Sequence, residues 1–326
     1  MSLWNGNPSL VKPMLAFPSK PFDSKDFLME IKYDGTRCIA YIDKNSRTVK
    51  MLNRRMAFFE QRYPEFASLY KSINAKRAII DGEVVVLEKG KPNFYLLEER
   101  EQSSSPARID ILKDIHPATY IVFDVLHVDG EDVMNLKLYE RKKLLDKVVD
   151  ESDFMIKSSF IYEKGKALFS RARRKGLEGV MAKRLDSIYV QERSKDWLKI
   201  KSLNTIDAIV LGYTSTEKEA LSALILGAYK NGRLAYIGRA GTGFTEKQRS
   251  TLHSLLSKMK SSKPYAKIES AGAGRSVTYT KPEIVAEIKF LELTNDGMLR
   301  APSFMRLRND KLPSECTLES AVPFYH

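Results

Sequence analysis

Apolar and polar residues alternate with period two over "FLMEIKYDG" and "TRCIAYID" (residues 27–43). This predicts a hairpin-like pair of strands with Asp34-Gly35 at or near the bend. "RTVKMLNR" (47–54) repeats the strand pattern, and "YPEFASLYKSI" (63–73) shows helical spacing. "RAIIDGEVVVLE" (77–88) is two β-branched runs around Asp81-Gly82, read as strand, turn, strand. "EERE" leads into "QSSSPAR" (102–108), an expected exposed loop. "TYIVFDVLHVDG" (119–130) is strand-like. "LKLYERKKLLDKVV" (136–149) is an amphipathic helix, and "GKALFSRARRKG" (165–176) is a second, ended by Gly176. "EGVMAKR" (178–184) and "WLKIK" (197–201) complete the first half as short strands. The layout is α+β and rich in antiparallel pairing, not a regular βαβ series.

Around Asn204 the texture changes. "DAIVLGY", "SALILGAYKNGRLAYIGRAG" and "IVAEIKFLELTNDGMLR" are strands with hairpin turns at Asn231-Gly232 and Asp296-Gly297. One helix, "TEKQRSTLHSLLSKM", interrupts them. About five strands and a helix in this length fit a small closed barrel such as an OB-fold. Two domains are expected, residues 1–203 and 204–326.

Charge adds a partner class. The 326 residues carry a net charge of +13, with an excess of 8 in residues 1–203 and 5 in residues 204–326. A positive excess in both halves suits a protein that faces a polyanion, and equally a soluble protein that is merely basic. Cys38 and Cys316 match no zinc spacing, and the histidines (116, 127, 253 and 326) are scattered, so a His- or Cys-ligated metal is not expected. No apolar run reaches about 18 residues and the N-terminus lacks a secretory pattern, which predicts a cytoplasmic protein.

No P-loop is present. "GRAGTGFT" lacks the third glycine of a dinucleotide fingerprint and reads as a tight turn; "AGAGR" (271–275) reads as a loop. Lys32, in "EIKYDGTR" (30–37), is the one candidate nucleophile. A free lysine amine is protonated at neutral pH, so it attacks phosphorus only beside other charges and a charged substrate. Taken alone, K-x-D-G favours a strand-end charge before a turn over a nucleophile. In "WLKIK", Lys199 and Lys201 share one strand face opposite Leu198 and Ile200, a pattern that an exposed strand would also show.

Seven segments in order carry more weight: "EIKYDGTR", "NRR" (53–55), "DGEVVVL" (81–87), "IVFDVLHVDG" (121–130), "EGVMAKR", "WLKIK" and "RAPSFMRLRNDK" (300–311). Together they resemble the covalent nucleotidyltransferases, and specifically the ATP-dependent DNA ligases, along nearly the whole chain. The last segment fits R-x-P-x-F-x-R-x-R-x-D-K. "KPMLA", "GRAGTGFT" and "EIKFLELTNDGMLR" further resemble the ligase domain of bacterial and archaeal end-joining ligases, the ligase D group.

That resemblance implies a nucleotidyltransferase (adenylation) domain followed by an OB-fold domain, with nick or break sealing through a lysyl-AMP intermediate. It casts Lys32 as the nucleophile toward the α-phosphate of ATP, presented by Asp34-Gly35. Glu30 would read the adenine amino group, Arg37 would lie beside the ribose, and Phe123 would stack on the base. Glu83 would accept from the ribose hydroxyls and, with Glu178, hold Mg²⁺ or Mn²⁺. Lys183, Lys199 and Lys201 would face the nucleotide. Arg306 and Arg308 would orient the leaving pyrophosphate, together with Arg300 and Lys311. Arg54 would touch nucleotide or DNA phosphate, and Arg239 DNA. Asp124 and Trp197 are expected to be structural, and Asp81 a turn residue.

Residues 1–29 are too few for the N-terminal helical DNA-binding domain of larger family members. The resemblance therefore implies a minimal two-domain monomer acting at the nucleoid, aided by a Ku-like end-binding protein. The rival readings are an RNA ligase, an mRNA capping guanylyltransferase, and a noncatalytic OB-fold nucleic-acid-binding protein.

Overall fold

In the computed structural model, residues 10–217, 219–268, 275–294 and 296–321 are described. The loop expected at 271–275 falls outside them except for Arg275. The chain divides into two compact units, Met1–Ser202 and Leu203–His326.

In the first unit the strands in chain order are β1 (Leu15–Pro18), β2 (Phe27–Lys32), β3 (Thr36–Asp43), β4 (Thr48–Asn53), β5 (Arg77–Glu88) and β6 (Lys91–Pro92). Helices α1 (Phe94–Gln102) and α2 (Pro106–Ile115) precede β7 (Ala118–Val128), β8 (Glu131–Asp132) and helix α3 (Leu138–Val148). Then come β9 (Met155–Lys157), β10 (Phe160–Tyr162), helix α4 (Gly165–Arg174), β11 (Gly179–Arg184) and β12 (Arg193–Lys201). They form two sheets. One has the order β1-β12-β11-β2-β10; the other runs β4-β3-β5-β7-β8, with β6 on β5 and β9 on β7. Pairing is antiparallel except for β1 with β12 and β9 with β7.

Four expectations change here. β2 and β3 are not a hairpin; the chain leaves one sheet at Lys32 and enters the other at Thr36. Gly35 is required by close approach: a Cβ there would stand 2.2 Å from the Val84 carbonyl oxygen. Nor do Asp81 and Gly82 turn. β5 runs straight through them, and its ladder with β7 shifts register between them, which leaves Phe123 as the extra residue of a bulge. A bulge re-aims its side chain, and an interior Asp-Gly imitates a turn because glycine also marks bulges. The loop expected at 102–108 narrows to three residues. Asn93 caps α1, and Pro106 opens α2 at a first-turn position where its missing N–H costs nothing. The helical spacing at 63–73 is realised as a tight 3₁₀ turn over Pro64–Ser72.

β3 is buried on both faces. Cys38, Ala40 and Ile42 pack toward Leu97 of α1 and Leu145 and Val148 of α3. Ile39 and Tyr41 pack toward the first sheet with Phe123, Tyr189 and Trp197. The first unit therefore layers one sheet on another, and the second sheet on helices.

In the second unit, β13 (Thr205–Ser215), β14 (Ala223–Lys230), β15 (Arg233–Ala240), helix α5 (Glu246–Ser257), β16 (Ser276–Tyr279), β17 (Val285–Lys289), β18 (Glu292–Leu293), β19 (Leu299–Arg300) and β20 (Ser303–Leu307) follow. The main sheet runs β15-β14-β13-β17-β20, with β16 also on β13. It curls until Thr242, just past β15, bridges Ser303 on β20. Asn231-Gly232 forms the β14–β15 turn with positive φ at both residues, 51° and 75°. Thr245 and Gln248 make a capping box at the start of α5, whose Leu252 and Leu256 join the barrel core.

Candidate active site

Register collects the site on one sheet face. Lys32 at the end of β2 lies opposite Gly179 of β11, which lies opposite Lys201 of β12. One row inward stand Glu30, Met181 and Lys199. Cross-strand partners point to the same side, so Glu30, Lys32, Lys199 and Lys201 share a face, joined by Lys183 in the next row. The Lys32 ammonium donates to Glu178 Oε2 at 2.6 Å, and Lys201 Nζ stands 3.9 Å from Oε1 of the same carboxylate.

The second sheet supplies the opposing wall. Arg37 on β3 pairs in register with Glu83 on β5. Its Nε and an Nη donate to both oxygens of Asp81 at 2.6 Å each, and Tyr189 donates to Asp81 at 2.7 Å. Asp81 is thus a buried counter-ion for Arg37, a role missed when Asp-Gly is read as a turn. The need of an inward-facing Arg37 for a counter-ion was the available signal.

Glu83 accepts no hydrogen bond from the described residues. Burial pushes its carboxyl up to about 7; Lys32 and Arg37 oppose the rise, while Glu178 and Asp34 add to it. Two carboxylates that repel one another around Lys32 form an oxygen-only donor pair, which suits Mg²⁺ or Mn²⁺ completed by phosphate oxygens and water. No cluster of three or more His, Cys, Asp or Glu able to hold a metal occurs among the described residues. Any ion here would depend on its substrate.

Glu30 differs from expectation. Its carboxylate is buried between Lys142 of α3, which donates to one oxygen, and Lys183, whose Nζ is 2.7 Å from the other. Both oxygens are occupied by ammoniums and neither faces an open site for an adenine amino group. Burial would raise this carboxyl, but the two lysines outweigh it and hold it below its ordinary value. Burial also pulls Lys183 down to about 8, against the attraction of Glu30. Lys142 carried no signal in the sequence, because a lysine on an amphipathic helix ordinarily faces solvent.

Phe123 is 8% exposed. The Lys183 ammonium lies 3.8 Å and the Arg37 guanidinium 4.6 Å from its ring centre. Trp197 meets Phe123 edge-on and lies 4.2 Å from the same ammonium. The ring therefore joins the two sheets through cation–π contacts, and a base stacking there must displace one of those cations. Asp124 is structural as expected, bound through both oxygens by the buried Arg141. Arg54 follows β4 in the turn that Met56 N–H closes on the Asn53 carbonyl, just past the end of the β3–β4 ladder.

Arg306 and Arg308 are not presented as free cations. In the second unit Arg306 is buried against Glu287 at 2.7 Å. Arg308 donates to Asp207 at 2.8 Å and to both oxygens of Asp310 at 2.8 and 2.7 Å. Lys311 shares Asp207 at 3.2 Å. Desolvating a guanidinium demands such partners, and a repeating R-x-R pattern does not disclose them. Arg239 is half-buried on β15 opposite Ile225.

A lysine flanked by carboxylates and lysines on a two-sheet unit, followed by an OB-type barrel, defines a covalent nucleotidyltransferase. The family descriptions "ATP dependent DNA ligase domain" and "ATP dependent DNA ligase C terminal region" match residues 10–201 and 217–311. The chain belongs to the ATP-dependent DNA ligase family. It is 32% identical to the multifunctional non-homologous end joining protein LigD of Mycolicibacterium smegmatis, over 97% of this chain and 40% of that protein. It is 30% identical to a DNA ligase of Thermococcus onnurineus, over 91% of this chain and 54% of that protein. The chain thus spans about half or less of the length of these relatives. A solved structure of mycobacterial DNA ligase D complexed with ATP and MES superposes with a TM-score of 0.66 at 28% identity, covering 94% of this chain and 98% of that one.

Proposed function

We propose that this chain seals nicks or breaks in duplex DNA between 3′-hydroxyl and 5′-phosphate ends, using ATP and Lys32, in repair by end joining in the cytoplasm. The observation that carries the reading is Lys32, held at 2.6 Å by Glu178 on the face shared with Lys199 and Lys201. Lys32 Nζ gives up a proton and attacks the α-phosphorus of ATP; a P–N bond forms and the P–O bond to pyrophosphate breaks. Lys199 and Lys201 balance the phosphate charge. The AMP then passes to the 5′-phosphate of the DNA, restoring the lysine. The 3′-hydroxyl attacks that phosphorus, and AMP leaves. A divalent ion on Glu83 and Glu178 would neutralise phosphate oxygens throughout. Asp81 and Tyr189 orient Arg37, while Glu30 fixes Lys183 rather than reading the base. Arg306 and Arg308 would reach pyrophosphate only by exchanging Glu287, Asp207 and Asp310 for phosphate oxygens. A Ku-like end-binding partner belongs to the same reading, since the relatives named for end joining share this region.

Incubation with ATP labelled at the α-phosphate and Mg²⁺ tests it. The label should appear on Lys32, nicked duplex should be sealed, and Lys32→Ala should lose both. Labelling by GTP alone, or sealing by Lys32→Ala, would overturn the reading.

A further inference from the structure

One strongly charged surface takes no part in this chemistry. Helix α4 buries Gly165, Phe169 and Ala172 against β2 and β11. Gly165 meets Met29, and side chains alternate along β2, so α4 covers the sheet face opposite Glu30 and Lys32. Its outward arc and flanks carry Lys164, Lys166, Arg171, Arg173, Arg174 and Lys175, all exposed. The helix itself holds no Asp or Glu. Among the described residues none of these six side chains has an ion pair or hydrogen bond. The cations of the catalytic face, by contrast, are paired.

Helix stability accounts for only part of this pattern. Cations in the last turn complement the negative end of the helix dipole, which covers Arg171, Arg173 and Arg174. Lys164 and Lys166 sit at the opposite end, where the dipole favours carboxylates. We propose that the outward face of α4 is a second DNA-binding surface, taking the phosphodiester backbone of duplex DNA away from the sealing site. The proposal rests on the DNA-ligase reading for its partner.

Charge density matches this partner. Residues 164–175 average one positive charge per about 3 Å of helix axis, in two groups either side of residues 167–170, and a DNA strand presents a negative one about every 3.4 Å. A membrane is a poor fit, because the apolar stripe that would enter lipid is already buried on the sheet. A folded acidic protein would find only Ala167, Ser170 and the half-buried Leu168 between the charges; the exposed Ile161 and Tyr162 stand on β10, outside the helix.

The test compares the quadruple variant Lys166→Gln, Arg171→Gln, Arg173→Gln, Arg174→Gln with a control that removes equal charge elsewhere (Lys71→Gln, Lys76→Gln, Lys137→Gln, Lys147→Gln). Glutamine matches lysine and arginine in helix propensity, and far-UV circular dichroism verifies folding. Anisotropy titration of nicked duplex across salt should show the α4 variant binding about tenfold or more weakly, its log–log salt slope reduced by about 3. The control should stay within about threefold, with its slope intact. Lysine adenylation and kcat at saturating DNA should be unchanged in both. A variant with Arg171, Arg173 and Arg174 all changed to Lys should bind like wild type. Equal DNA affinity in the α4 and control variants overturns the proposal, as does lost binding to phosphatidylserine vesicles with DNA affinity kept. Failure of the wild type to form a lysyl-AMP adduct counts against the ligase reading instead, and leaves the binding comparison readable.

Discussion

Glu83 should destabilise the ligand-free protein, and Glu83→Gln should reveal it. Its carboxyl is half-buried, accepts no hydrogen bond from the described residues, and lies near Glu178 and Asp34. Burial raises it from an ordinary 4.5 to about 7. The folded chain therefore binds more protons than the unfolded chain between about pH 4.5 and pH 7, and stability falls as pH climbs through that window. Below it both states are protonated and the cost vanishes; above it the cost is complete. The rise corresponds to roughly 3 kcal/mol, reduced by partial solvent exposure to about 1–3 kcal/mol. Glutamine is neutral at every pH and escapes this cost. Differential scanning calorimetry in EDTA should find Glu83→Gln close to wild type at pH 5 and about 2–10 °C higher in Tm at pH 8. A variant no more stable than wild type at pH 8, or a gap independent of pH, would refute the reasoning.

Two further outcomes follow from buried geometry. Arg100 donates to both oxygens of Glu65 with side chains at most 1% exposed, so Arg100→Met should strand a buried carboxylate and cost about 3–5 kcal/mol in urea unfolding. Unaltered stability would show that Glu65 rehydrates freely. Gly35→Ala places a Cβ 2.2 Å from the Val84 carbonyl oxygen and 2.8 Å from Val85 Cγ1, so unfolding should cost at least about 2 kcal/mol more. Lysine adenylation should drop with it, because the displaced link carries Lys32; full adenylation at wild-type stability would refute the close approach.

Much of the site was legible because its segments are short and ordered. Lys32, Lys199 and Lys201 share one face with Glu178 ion-paired to Lys32, and period-two alternation foretold which residues of each strand would point together. What stayed hidden were the partners. Glu30 looked like a base reader until Lys142 and Lys183 closed around it, and Arg306 and Arg308 looked like free cations until Glu287, Asp207 and Asp310 were placed. Ion pairs between residues 112 or 101 positions apart leave no trace in local spacing.

The sequence by itself determined many of the strands, the helices α3, α4 and α5, the change in texture near residue 204, the candidate nucleophile and the family, because these depend on periodicity and on residues close along the chain. Only the tertiary structure decided that Asp34-Gly35 crosses between sheets and that Asp81-Gly82 runs through a bulged strand. It also decided which charges neutralise one another. Glycine marks a turn, a bulge and a close approach alike, and an ammonium seeks whichever carboxylate shares its desolvated space. Both outcomes are settled by what packs against a residue, not by what precedes it.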